Sequence, residues 1–191
     1  MTAHTSNTPD AKIGLILNLM PKRKPLPGED ATQMEDLEQA LIAELAPATP
    51  LEHVIVDDLF NLLCDAMGHR RYRDALLRAG TEQLSAGAFH NGKIGQMGFC
   101  EINEEARQLS RDLVSDDKAA QENALAELAK RKVSVEAIIA QAFASLAQQI
   151  TTHEALVADI EVRRRRLLDD LYSLKATTAK PVEDAVLVDE A

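Results

Sequence analysis

Four consecutive arginines, Arg163 to Arg166, stand in a chain of net charge −10. Cations at that density are one way to hold a phosphate backbone. On a helix, however, successive residues turn by about 100°, so four in a row circle the axis instead of forming a stripe. A helix lying along a backbone repeats its cations at i, i+4 and i+7. From Arg163 those later places hold Leu167 and Asp170. The acids nearby are spaced for pairing within the helix: Asp159 with Arg163, Glu161 and Asp169 with Arg165, and Asp170 with Arg166. Each such pair contributes only about 0.2–0.5 kcal/mol. Together they make the cluster a neutralised helix face, with Arg164 packing its methylenes and sending its guanidinium to water or a carboxylate. "HRRYRD" (His69 to Asp74) reads the same way, since Arg70 has Asp74 four residues on. A nucleic-acid contact, the alternative, would use Arg70, Arg71, Arg73, Arg163 and Arg166 as its phosphate ligands.

The other chemistry-bearing patterns are weaker. "GAFHNGKI" (Gly87 to Ile94) matches the glycine and lysine spacing of a phosphate loop. It then places Ile94 where a Ser or Thr must hold magnesium, and no apolar strand precedes it. Cys64, His69, His90 and Cys100 are the soft ligands nearest one another, but they lack the close C-x-x-C or H-x-x-x-H pairs that zinc favours. Cys64, inside an apolar helix, reads as a small buried residue. Asp57–Asp58 and Asp116–Asp117 are adjacent on helices and diverge, which makes them poor acid–base dyads. The expectation is no catalytic residue, no cofactor and no metal.

The elements that position these residues are helices. Nearly half of the 191 residues are apolar, only six are aromatic, and strong helix formers dominate. A first helix is predicted over about Ala31 to Ala46, ended by Pro47. A second opens at "TPLE", with Thr49 as cap, Pro50 in the first turn and Glu52 where a capping box needs its carboxylate. It is predicted to stop at Gly80, before a glycine-rich loop over 80–99. Helix resumes near Asn103 and runs to about Arg131, with a break near Ser115. The last helix, from a Ser134 cap, carries the clearest pattern of the chain. Ile139, Phe143, Leu146, Ile150, His153, Val157, Ile160, Arg164, Leu167, Leu171 and Leu174 step four, three, four, three as the seam of a coiled coil. His153 in that seam reads as a hydrogen-bonded core polar residue.

Residues 1–30 are expected to be mostly disordered around a short apolar stretch, 13–20, and residues 177–191 form an acidic tail of the same kind. The stretch "IGLILNLM" is too short to span a bilayer and lacks a basic leader, so neither membrane segment nor signal peptide is expected. Two cysteines suit a reducing cytosol. "ILNLMP" is similar to the opening strand of homoserine acyltransferases over about nine residues. The helical remainder carries no motif for that family's Cys, His and Glu groups.

"PLEHVIVDDLFNLLCDAMGHRRYRDALL" (Pro50 to Leu77) and "IEVRRRRLLDDL" (Ile160 to Leu171) resemble a small family of uncharacterised bacterial helical proteins. The chain departs from that family in Cys64, where Trp is usual, and Gly68, where a larger residue is usual. The resemblance implies a helical fold and no activity. The reading as a whole is an all-α protein, with a helical domain over 31–176 built as an antiparallel helical hairpin or coiled coil. Its function class is a non-enzymatic interaction or scaffold protein of the cytoplasm, paired with a protein partner or with itself.

Overall fold

The computed structural model describes residues 20–94 and 102–178. Among them are five helices and no strand: α1 (Ala31–Leu45), α2 (Pro50–Asn91), α3 (Glu104–Leu113), α4 (Lys118–Lys130) and α5 (Val135–Thr178). The apolar stretch 13–19, Cys100 and the tail beyond Thr178 lie outside the described residues. No single described helix is long and apolar enough to cross a membrane.

The chain divides into two compact units, residues 1–66 with 159–191, and residues 67–158. In the first, α1 is started by Asp30, whose carboxylate accepts from the Thr32 and Gln33 amides at 2.9 and 3.4 Å. It is closed by Ala46 in the left-handed region (φ 39°), with Pro47 forbidding another turn. Lys175 Nζ donates to the Leu45 carbonyl and, at 3.0 Å, to that of Ala46. A cation here complements both the unpaired carbonyls and the helix dipole. Next, the Thr49 hydroxyl accepts from the Glu52 amide at 3.3 Å. The Glu52 carboxylate, 1% exposed, reaches back to the Ala48 amide at 2.7 Å, one residue earlier than a standard capping box. The core of this unit is Leu45, Ile55, Val56, Leu59 and Leu171, with Leu41, Leu167, Leu168 and Leu174 against it.

Residues 20–30, mobile by composition, are tied down in this unit by one side chain. Arg23 pairs with Glu29 at 3.2 Å and with Asp65, and donates to the Asn61 carbonyl at 3.4 Å. The sequence signal for this was a lone arginine among prolines, which has no periodicity to reveal it.

In the second unit the structure corrects the expected loop over 80–99. Helix α2 continues through Gly80 to Asn91; residues 95–101 lie outside the described residues. Gly80 is there for close approach, since a Cβ at that position would lie 2.7 Å from Leu146 Cδ1 and 3.6 Å from Ala142 Cβ. The stop is Gly92, left-handed at φ 70°, its amide bonded to the Ala88 carbonyl at 2.9 Å. Asn103 and Asp117 cap α3 and α4, and the Ser134 hydroxyl accepts from the Ala137 amide at 3.3 Å to start α5. The break falls at 114–117, as the sequence indicates. Ala88, Phe89, Ala106, Leu109, Leu113, Ala124, Leu128 and Ile138 make the core.

Two readings of Gly80 separate experimentally. Gly80→Leu overpacks against Leu146 and lowers stability by about 1–3 kcal/mol. Gly80→Ala stays within about 1 kcal/mol of the parent, because its gain in helix propensity offsets rotation of the Leu146 end. A loop at this position would leave both variants near neutral in a denaturant melt.

Candidate functional site

The described residues offer surfaces, and two of them combine exposure with a definite lining. One lies on the second unit. Leu77, Leu113, Leu125, Val135, Ile139 and Phe143 line a hollow of about 460 Å³. Ile139 and Phe143 are 40% and 45% exposed, and Leu125 is 38% exposed. An ion pair stands at its edge, Arg78 to Asp116 at 3.2 Å. Sequence spacing placed Ile139 and Phe143 in the seam, but the residues buried there are Ile138 and Ala142, both 0% exposed. The reason is geometric. A four–three stripe drifts by about 20° per heptad on a straight helix, and the first turns of α5 pack with α3 and α4 side chains through Ile138.

Farther along α5 the seam falls inward as the spacing indicates. Ile150, Ile160 and Leu171 are buried at 5%, 7% and 0% exposure, while Leu146, Val157, Leu167 and Leu174 are half-buried. The two polar seam positions find partners. His153 meets His69 with Nδ1 atoms 3.1 Å apart, one imidazole donating and the other accepting. Tyr72 flanks both rings at 6.1 and 6.4 Å. Arg164, half-buried, pairs with Glu161 at 2.6 Å.

The arginines divide between the two units. Arg70 and Arg71 are exposed on the part of α2 in the second unit, where Arg73 pairs with Asp74 at 2.8 Å and approaches Glu154 at 3.9 Å. In the first unit Arg163 pairs with Asp159 at 2.6 Å, as its spacing indicates. The expected Arg165–Asp169 and Arg166–Asp170 pairs are not formed: among the described residues Arg165 and Arg166 make no ion pair. Arg163 and Arg166 instead edge a groove of about 390 Å³ with Asp58, Asn61, Leu62 and Leu167.

The other candidates do not assemble. No group of three or more His, Cys, Asp or Glu side chains is arranged for a metal among the described residues. Cys64 is buried at 3% exposure, as expected of a small core residue. Gly87 to Asn91 are the last residues of α2, so most of their amides are already committed to the helix and cannot cradle a phosphate. Gly68 has room to spare, since a Cβ there would meet only Tyr72 at 3.8 Å.

The setting of Asp57 disfavours its ionised form. Partial burial, then the charges of Asp58 and Glu38, hold its carboxyl above the usual value, opposed by a hydrogen bond from Asn61 at 2.9 Å. A carboxyl raised on folding destabilises the folded state once it is ionised. Asp57→Asn therefore raises stability near pH 7, and the gain disappears below about pH 3, where both folded and unfolded carboxyls are protonated. Denaturant melts of parent and variant at the two pH values check the sign.

No protein-family model, no curated protein and no solved structure matches the chain.

Proposed function

We propose that this protein is a non-enzymatic interaction protein, with α2 and α5 packing as an antiparallel pair of coiled-coil type and a second copy covering the hollow beside Phe143. The contacts within the second unit support the pairing. As position on α2 advances from His69 to Gly80, the facing position on α5 falls from His153 to Ala142 and Leu146. In the first unit Lys175 reaches the end of α1, and Leu171 shares a core with Ile55 and Leu59.

The exposure of Ile139, Phe143 and Leu125 around one hollow carries the functional reading. Each large apolar side chain gains about 1.5–3 kcal/mol on full burial, so a cluster of them is a surface awaiting a partner. A second copy suits it because the rim carries one charge of each sign, Arg78 and Asp116. A two-fold arrangement that sets Arg78 of one copy beside Asp116 of the other leaves no like charges opposed, which is the complementarity an isologous contact requires. The nucleic-acid reading has less support: Arg73 and Arg163 already face acids, and the net charge is −10.

Light scattering on the full chain at two concentrations tests this reading. The parent is expected to be a dimer. Phe143→Glu and Ile139→Glu are expected to give monomers with unchanged helical circular dichroism, since both side chains stand at the surface. A parent that is monomeric at both concentrations, or a dimer indifferent to both substitutions, overturns it.

A further inference from the structure

His69 of α2 and His153 of α5 meet nitrogen to nitrogen in the second unit, and both are half-buried. Their Nδ1 atoms are 3.1 Å apart and their ring centroids 5.3 Å, the separations of two rings meeting end to end. One Nδ1 therefore carries a hydrogen and the other a lone pair. In the neutral pair the donor imidazole has a bare Nε2 and the acceptor a bare Nδ1. A first added proton goes to the donor's Nε2 and turns the contact into a charge-assisted hydrogen bond, stronger than the neutral one. For a second proton the only bare nitrogen left is the acceptor's Nδ1. Filling it sets two N–H donors and two positive charges head to head.

Among the described residues no carboxylate is reserved for that second charge. On α2, Asp65, one turn before His69, is paired with Arg23, and Asp74 with Arg73. On α5, Glu154 is approached by Arg73 at 3.9 Å. Arg70, Arg71 and Arg73 add positive charge on the α2 side. Tyr72, flanking both rings, adds a phenol and no charge.

We infer that His69 and His153 form a latch between α2 and α5 that one proton tightens and a second opens. The two imidazoles titrate as a pair and not as two independent sites. The latch concerns the α2–α5 contact itself and stands whether or not a second copy covers the hollow beside Phe143. Both helices line that hollow, through Leu77 and Arg78 on one side and Ile139 and Phe143 on the other. Acid therefore reaches the exposed apolar surface by removing a contact that holds its two walls together.

The test is ¹⁵N NMR of the imidazole nitrogens in the full-length protein from pH 8 to 4.5. Denaturant melts of the parent, His153→Gln and His69→Gln at pH 8, 6.5 and 5 accompany it. One proton is expected to enter the pair near neutrality, and the second only as the Nδ1–Nδ1 contact is lost. Two free imidazoles in the unfolded chain take up two protons as pH falls through about 6.5, while the closed latch holds one. Stability falls wherever the unfolded chain binds more protons. The pair's share of the folded-to-unfolded ratio therefore peaks near pH 6.5 and drops about tenfold by pH 5. Neither variant shows that drop, because a single imidazole has no second charge facing it. The NMR readout needs no variant and decides alone should a substitution unfold the chain. Both imidazoles taking protons independently with the contact intact overturns the proposal. So does a loss from pH 6.5 to 5 that is equal in parent and variants.

Discussion

At Gly80 there is no space for a side chain larger than a methyl group, and even a methyl must turn the end of Leu146 aside. Leu146 and Ala142 of α5 stand where a Cβ and its substituents would go, and the packing of the second unit follows from that approach. Two helices of 42 and 44 residues have long apolar stripes and little stability alone, because isolated helix is marginal in water. They gain it by contact, and contact at short range needs small residues on at least one side. Ala88, Ala106, Ala124 and Ala142 are buried at 0–2% exposure in this unit. Alanine there does what glycine does at position 80, with a lower cost in backbone entropy.

Small residues inside have a consequence outside. A core built on alanines needs few large partners, and Phe89, Leu128 and Ile138 fill it. Ile139 and Phe143, one residue along from the buried Ile138 and Ala142, are turned by about 100° to the surface. The exposed apolar hollow is thus the complement of tight packing beneath it. Two of the residues that make α5 read as a strong coiled-coil helix, Ile139 and Phe143, are thus ones its own unit leaves uncovered.

What was legible in the sequence was local. The caps at Thr49 and Ser134 are each decided by a side chain reaching an amide three residues away, and both act as their types imply. The break at Ser115 and the stop at Pro47 are local too. Gly80 misleads because glycine has two uses. As a helix terminator it supplies a left-handed backbone, which Gly92 does here; as a contact residue it supplies absence, which depends on Leu146, sixty-six positions away. The arginine cluster was half legible for the same reason. Asp159–Arg163 forms at the expected spacing, whereas Glu161 takes Arg164, three residues on, because Arg164 is half-buried and its guanidinium needs an acceptor close by.

Polar residues in the seam impose a different kind of order from apolar ones. A leucine stripe tolerates a slip by one turn, because another leucine arrives. The His69–His153 contact does not, because each imidazole then loses the other and brings an unpaired nitrogen into a half-buried layer. The net worth of a hydrogen bond is only about 1 kcal/mol, but the loss of one partner exposes the full desolvation penalty of the other. The histidine pair therefore adds little to stability and much to register in the second unit. The hollow at Phe143 depends on that fixity, since its lining keeps its shape only while α5 keeps its place beside α2 in the second unit.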